Sequence, residues 1–381
     1  ERPGVPRLDV DVEWRSDRSE LHVTVEQTQH IDGFNPAYAL DLPLVLGHAG
    51  PGDQVEWTTI PLGIDQRRQE FILPLTRDAT IAVVDPQMHT LAALTIHQPE
   101  DRWVAQLEHG PTLAARVQAA RALGALEPVA ARPAPKAADE GRDRSAGERA
   151  LLRTASDAHM HESLRRECIN SMAQRHDIEA IIAQLEHPGA PSVRAAAIDA
   201  LARAADSDAD RARADSAIRP MLGPDHATRT RAAAIRAVAR LDQPGAIDAI
   251  VPFLSIESQD DGLRQSALDA LADLDDPRAL PLTLEQTHPR TNSRTRATAI
   301  AASVRLASHD PDLVFTTIAP LLRDRQRRTF LAAGQALVDL GDERGLEALQ
   351  SLRDEVIDPD SVWSLESWMH ALREKVESTT P

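Results

Sequence analysis

The side chains best placed to do chemistry lie close together: His159-Met-His161-Glu-Ser-Leu-Arg165, with Cys168 three residues on. A zinc hydrolase uses H-E-x-x-H, which sets two imidazoles one helical turn apart beside a general-base carboxylate. His161-Glu162-Ser163-Leu164-Arg165 comes within one residue of that pattern. Arg165 stands where the second ligand belongs, and a fixed cation repels a divalent metal. His159 and His161 read instead as an exposed loop pair. The sequence holds no Gly-rich phosphate loop and no G-x-S-x-G nucleophile elbow. A single cysteine allows neither an internal disulfide nor a thiolate cluster. Cys168 sits beside Ile169 in a helical pattern and reads as a small buried apolar residue. The expectation is a chain with no catalytic, metal-binding or cofactor-binding residues of its own.

A second set of residues recurs rather than clusters. Arg194, Arg231, Arg264, Arg296 and Arg328 each open a similar run, such as Arg194-Ala-Ala-Ala-Ile-Asp-Ala-Leu201 and Arg264-Gln-Ser-Ala-Leu-Asp-Ala-Leu271. The steps between them are 37, 33, 32 and 32 residues. That period marks a helical solenoid of stacked pairs, with the arginine on the second helix of each pair. The pattern resembles HEAT repeats, and roughly six to seven pairs fit it. In such repeats a turn carboxylate and an arginine pair along the stack. Asp225 before Arg231, Asp260 before Arg264 and Asp324 before Arg328 fit that scheme. The arginine row is therefore expected to be a structural ladder rather than a surface for an acidic ligand. Pro252, Pro281 and Pro320 fall inside first helices and should kink them. Trp363, Trp368 and Leu372 should cap the open end.

Residues 1–107 have a different period. Leu8, Val10, Val12 and Trp14 alternate with Asp9, Asp11 and Glu13, and a polar turn leads to a second alternating run from Leu21. Seven short runs of this kind, separated by Gly, Pro and Asp turns, predict an antiparallel β-sandwich. Pro43 and Pro74 argue for edge or bulged strands. Trp14, Trp57 and Trp103 read as core of that sandwich. Helical spacing starts at Leu113, so residues 108–127 are expected to form the first helix of the helical domain. Residues 128–147 are rich in Pro, Ala and charge and are expected to be a disordered insertion. Residues 148–381 complete the HEAT-like α-solenoid. The fold class is thus a β-sandwich followed by an all-α repeat array.

The chain has 381 residues and a net charge of −17, with 40 arginines against 2 lysines. Nucleic acid and anionic lipid should repel it. No 18-residue apolar run could span a membrane. A cytoplasmic location is the expectation.

Several segments also resemble a known family. They are Pro6-Arg-Leu-Asp-Val-Asp-Val-Glu-Trp14, Leu21-His-Val-Thr-Val-Glu-Gln-Thr-Gln29, Phe71-Ile-Leu-Pro-Leu75, Val84-Asp-Pro86 and Trp103-Val-Ala-Gln-Leu107, followed by the repeat array. Together they resemble the C-terminal half of bacterial M1-family zinc aminopeptidases of the HEAT-repeat type. A subunit of the transcription factor TFIID shares that layout. The resemblance implies an upstream catalytic domain that carries zinc, with this part capping the chamber and limiting access to peptide substrates. The family's zinc motif and its G-x-M-E-N motif do not occur here, so no catalytic role passes to any residue of this chain. The alternative is a stand-alone HEAT scaffold that binds a protein partner on its concave face.

Overall fold

The computed structural model describes residues 4–49, 54–126, 144–187 and 189–379. Two compact units divide at residue 200, within the helix Pro191–Ala204.

Seven strands open the first unit: β1 (Arg7–Arg15), β2 (Glu20–Gln27), β3 (Leu40–Ala49), β4 (Val55–Ile64), β5 (Arg68–Pro74), β6 (Ile81–Val84) and β7 (Ala93–His97). They form a four-stranded sheet in the order β5-β2-β1-β7 and a three-stranded sheet in the order β4-β3-β6. The period-2 alternation puts Leu8, Val10 and Val12 in one buried cluster with Val23, Val25, Leu42, Leu44 and Leu62. One expectation is corrected here. The sandwich is not wholly antiparallel, because β7 returns from the other sheet to run parallel to β1. A second correction concerns Pro43, which lies in the central strand β3. It sits opposite Pro61 on β4, one position beyond the ladder that joins Leu44 to Val84 on β6. A residue with no N–H to donate costs least where the ladder has ended. Pro74, on β5, does lie on an edge strand.

Two helices, α1 (Glu100–His109) and α2 (Leu113–Ala125), cover the outer face of the smaller sheet. Ala105 and Ala115 pack there on Val45, Ile81 and Val83. Trp103 is buried on α1 and is not a sandwich residue. Trp57 is half-exposed, opposite Gly47, where a Cβ would come within 2.7 Å of the indole. Trp14 packs partly buried against the sandwich core. Gln27, fully buried, ties the strands together. Its amide donates to the Tyr38 and Gln66 carbonyls, while its oxygen accepts from the Tyr38 N–H and the Gln29 amide.

The rest of the first unit holds α3 (Ala146–Ser156), α4 (Glu162–Gln174), α5 (Ile178–Glu186) and the start of α6 (Pro191–Ala204). Residues 127–143, most of the expected insertion, lie outside the described residues. Residues 144–147 belong to the fold instead. Arg144 pairs with Asp177, Ser145 caps α3 through a capping box, and the Gly147 N–H donates to Glu100.

The second unit continues with α7 (Asp208–Ile218), α8 (Thr228–Leu241), α9 (Ala246–Ile250), α10 (Gly262–Leu274), α11 (Ala279–Glu285), α12 (Ser293–Arg305), α13 (Pro311–Ile318), α14 (Arg327–Leu340), α15 (Arg344–Glu355) and α16 (Pro359–Thr379). Second helices pack in series: α8 on α10, α10 on α12, α12 on α14 and α14 on α16. Three first helices tighten into 3₁₀ turns at Arg219–Leu222, Val251–Ser255 and Ala319–Arg323. Each turn carries a proline (Pro220, Pro252, Pro320), whose missing N–H forfeits an i→i−4 bond. Trp368 lies against Gly334 and meets Phe330 edge-on, with ring centroids 5.2 Å apart. Leu372 is buried there too, but Trp363 is 72% exposed and does not cap. No helix among the described residues is long and apolar enough to cross a membrane.

Candidate functional site

The arginine row was the set of residues to test. Among the described residues, six arginines on second helices make the same bond. The Nε of Arg116, Arg165, Arg194, Arg231, Arg264 and Arg296 donates to the carbonyl of Leu107, Ala155, Leu185, Leu222, Leu254 and Thr287 in turn. The distances run from 2.7 to 3.3 Å. Each acceptor lies nine or ten residues upstream, where the first helix of the pair ends. Carbonyls at a helix C-terminus have no intrahelical partner, and a cation suits that end of the dipole. The bond therefore closes the hairpin between the two helices of a pair. Arg116 and Arg165 were missed in the sequence. Their signal is Arg followed by small residues at the third and sixth positions beyond: Ala119 and Ala122, or Cys168 and Ser171.

The carboxylate partners differ from the expected set. Arg264 pairs with Asp261 at 3.1 Å, while Asp260 pairs with Arg294 at 3.1 Å. Two residues in the left-handed conformation, Asp260 and Asp261, turn the chain so that Asp261 and not its neighbour reaches inward. Asp324 bonds Arg296 at 2.6 Å, the arginine of the preceding pair and not Arg328. Burial pushes the Asp324 carboxyl up, but the Arg296 and Gln326 N–H donors outweigh it and hold it below the usual range. Asp225 is exposed and makes no bond to Arg231, which instead lies 5.2 Å from the Phe253 ring. Arg328 is exposed. The buried threonines Thr230, Thr295 and Thr329 fix the register, and each precedes the ladder position by one. That position in α14 is Phe330. The last step is thus 34 residues, not 32.

Residues 216–304 match the family model for HEAT repeats. No curated protein sequence matches this chain. The solved structure of Legionella pneumophila aminopeptidase A, in complex with aspartic acid, aligns with 98% of this chain and 49% of its own. The identity is 11% and the TM-score 0.49, so this chain spans about half the length of that protein. The CpcE–CpcF complex of phycocyanin lyase from Nostoc aligns with 64% of this chain and 100% of its own, at 17% identity and a TM-score of 0.37. Neither likeness assigns a role to a residue.

In the HEAT repeats of the second unit, charges also alternate across the second helices. Nine residues beyond the ladder position stand Arg240, Asp273, Arg305 and Asp339, in that order. Arg305 pairs with Asp273, and Lys375 donates to the Asp339 carbonyl. Burial raises the Asp269 carboxyl and Asp273 adds to that, while Arg305 and Arg236 oppose it. Opposite signs on neighbouring helices satisfy one another, so this face carries no excess charge for an ionic ligand.

The zinc-like segment has a structural explanation. His161 caps α4, its Nδ1 accepting from the Ser163 N–H, and Arg165 is a buried ladder arginine. Cys168 is fully buried and its thiol is pushed up to about 12 by burial, too high for a thiolate nucleophile. Among the described residues no group of three His, Cys, Asp or Glu is placed to hold a metal.

Proposed function

We propose that this chain is the non-catalytic C-terminal region of an M1-type zinc aminopeptidase, in which sandwich and HEAT repeats cap the catalytic chamber and limit or orient peptide substrates. The observation that carries this reading is one chain in which the Leu21-to-Gln29 segment of the resembled family leads through a sandwich into HEAT repeats. Its partners would be an upstream catalytic domain and the peptide within the chamber. Zinc would belong to that domain, since the residues here offer no ligand set for it. The match at 216–304 also favours a second reading, a HEAT scaffold for a protein partner.

The deciding experiment is to read the coding sequence immediately upstream of Glu1. An H-E-x-x-H motif followed by a downstream Glu supports the first reading, and an unrelated domain overturns it. The first reading also predicts that this chain alone, after dialysis, holds no stoichiometric zinc and hydrolyses no aminoacyl nitroanilide. One tightly bound metal per chain, together with peptidase turnover, would contradict it.

A further inference from the structure

We propose that the open edge of β1 is a docking groove for an extended, basic segment of a partner protein, taken up by strand addition. This inference stands apart from the aminopeptidase reading.

The edge is left open by an abrupt stop. β7 pairs with β1 only from Arg7↔Ala93 to Asp11↔His97. Two residues later Pro99 has no N–H to extend the ladder, and the chain turns into α1. Residues 12–15 of β1 still pair with β2 but have no strand beside them on the other side among the described residues. Alternate residues there send N–H and C=O outward from the sheet, and such an edge templates another strand.

The edge faces a groove of about 800 Å³, floored by residues 11–15 and walled by Asp78, Gln98 and Asp101. Four residues of added strand need a length of about 13 Å at about 3.3 Å each, which a groove of this volume accommodates. Its cations are already engaged. Arg102 is buried on Asp78 and the Ala79 carbonyl, Arg15 meets Glu13, and Arg68 meets Glu26. The groove therefore presents carboxylates in excess. It also presents a donor-seeking atom, since the Gln98 Oε1 is buried with no partner among the described residues. The Gln98 Nε2 is used separately, on Gln106.

Register then sets the occupant's pattern. Asp11 and Glu13 lie on the outer face of β1, while Val12 is buried and Trp14 packs toward the core. Neighbouring strands put opposed residues on the same face. An added segment would alternate a basic residue beside Asp11 and Glu13 with an apolar one beside Val12 and Trp14. Main-chain bonds would supply affinity and the alternation would supply selectivity.

The test uses the intact chain and a fluorescein-labelled peptide, acetyl-Lys-Val-Lys-Val-Lys-Val-amide. Anisotropy should show binding that weakens with salt, and amide exchange over residues 12–15 should slow on addition. The Glu-Val counterpart should not bind. N-methylation of alternate peptide amides, which leaves the charge unchanged, should weaken binding by about tenfold or more. Asp11→Asn with Asp101→Asn should weaken it by about threefold or more with an unchanged thermal melt. Equal binding by the N-methylated peptide, unchanged exchange at residues 12–15, or no binding by the Lys-Val peptide would each overturn the proposal.

Discussion

Arg296 is 2% exposed and serves two acceptors, the Thr287 carbonyl and Asp324. Removing its guanidinium strands a partly buried carboxylate, and Arg296→Ala should cost about 3 kcal/mol in a urea titration. Exposed Arg328 should lose no more than about 0.5 kcal/mol on the same change. Equal losses would refute the register given to α14. The buried threonines offer a sharper contrast. Thr295 donates to Asp261, whereas the hydroxyls of Thr230 and Thr329 find no partner among the described residues. Thr295→Val should therefore destabilise by about 1 kcal/mol, and Thr329→Val should be neutral or stabilising, since it removes a desolvated hydroxyl at little change in shape. His22 adds a pH dependence. It is buried between Glu20 and Glu70, at 3.0 and 3.1 Å, and their hydrogen bonds raise its pKa above the ordinary value. A group that holds its proton more tightly when folded stabilises fully below its unfolded pKa, about 6.5, and loses that contribution as pH rises through the higher folded value. The melting temperature should fall from pH 6 toward pH 8, and His22→Gln should flatten that fall. At this scale the recurring arginines were legible in the sequence, because five of them stand in similar runs. Their partners were not. Which of Asp260 and Asp261 turns inward depends on two left-handed residues that no spacing reveals.

Elements were read more reliably than their neighbours. The seven strands follow from period-2 alternation, since each must bury one face. The parallel placement of β7 did not follow, because returning beside β1 is a choice of topology that alternation leaves open. Pro43 misled for a related reason: a proline reports on one N–H, and the ladder beside it had already ended. Within the helices, the α14–α16 contact depends on the missing side chain at Gly334. A Cβ there would fall inside the Trp368 ring, so Gly334→Ala should displace the indole and cost about 1–3 kcal/mol. Trp fluorescence should shift toward that of a solvated indole, and an unchanged spectrum with unchanged stability would count against this packing.

Across the whole molecule, repeat physics decides how damage spreads. Solenoid stability is close to a sum of repeat and nearest-neighbour terms. Arg296→Ala should thus raise amide exchange most in α11 to α14, with the effect falling off at each pair away from α12. Uniform loss of protection across 228–379 would instead indicate one cooperative block. The alternating charges on the second helices bear on partners. Arg305 facing Asp273 leaves nothing for an acidic peptide to neutralise, so selective ionic recognition is better sought at the β1 groove.

Phe330, standing where its predecessors carry arginine, makes the stack unequal in how it can be lengthened. A second copy of residues 264–295, spliced in ahead of Arg296, would bring a ladder arginine, its carbonyl acceptor and a matching stretch of small residues. Such a duplication in frame should fold. A copy spliced in after α14 would part Phe330 and Gly334 from Trp368 and leave an aromatic pair without its mate. The middle of the array is therefore a place where length can be gained or lost by recombination, and its C-terminal end is a stop that can be used only once.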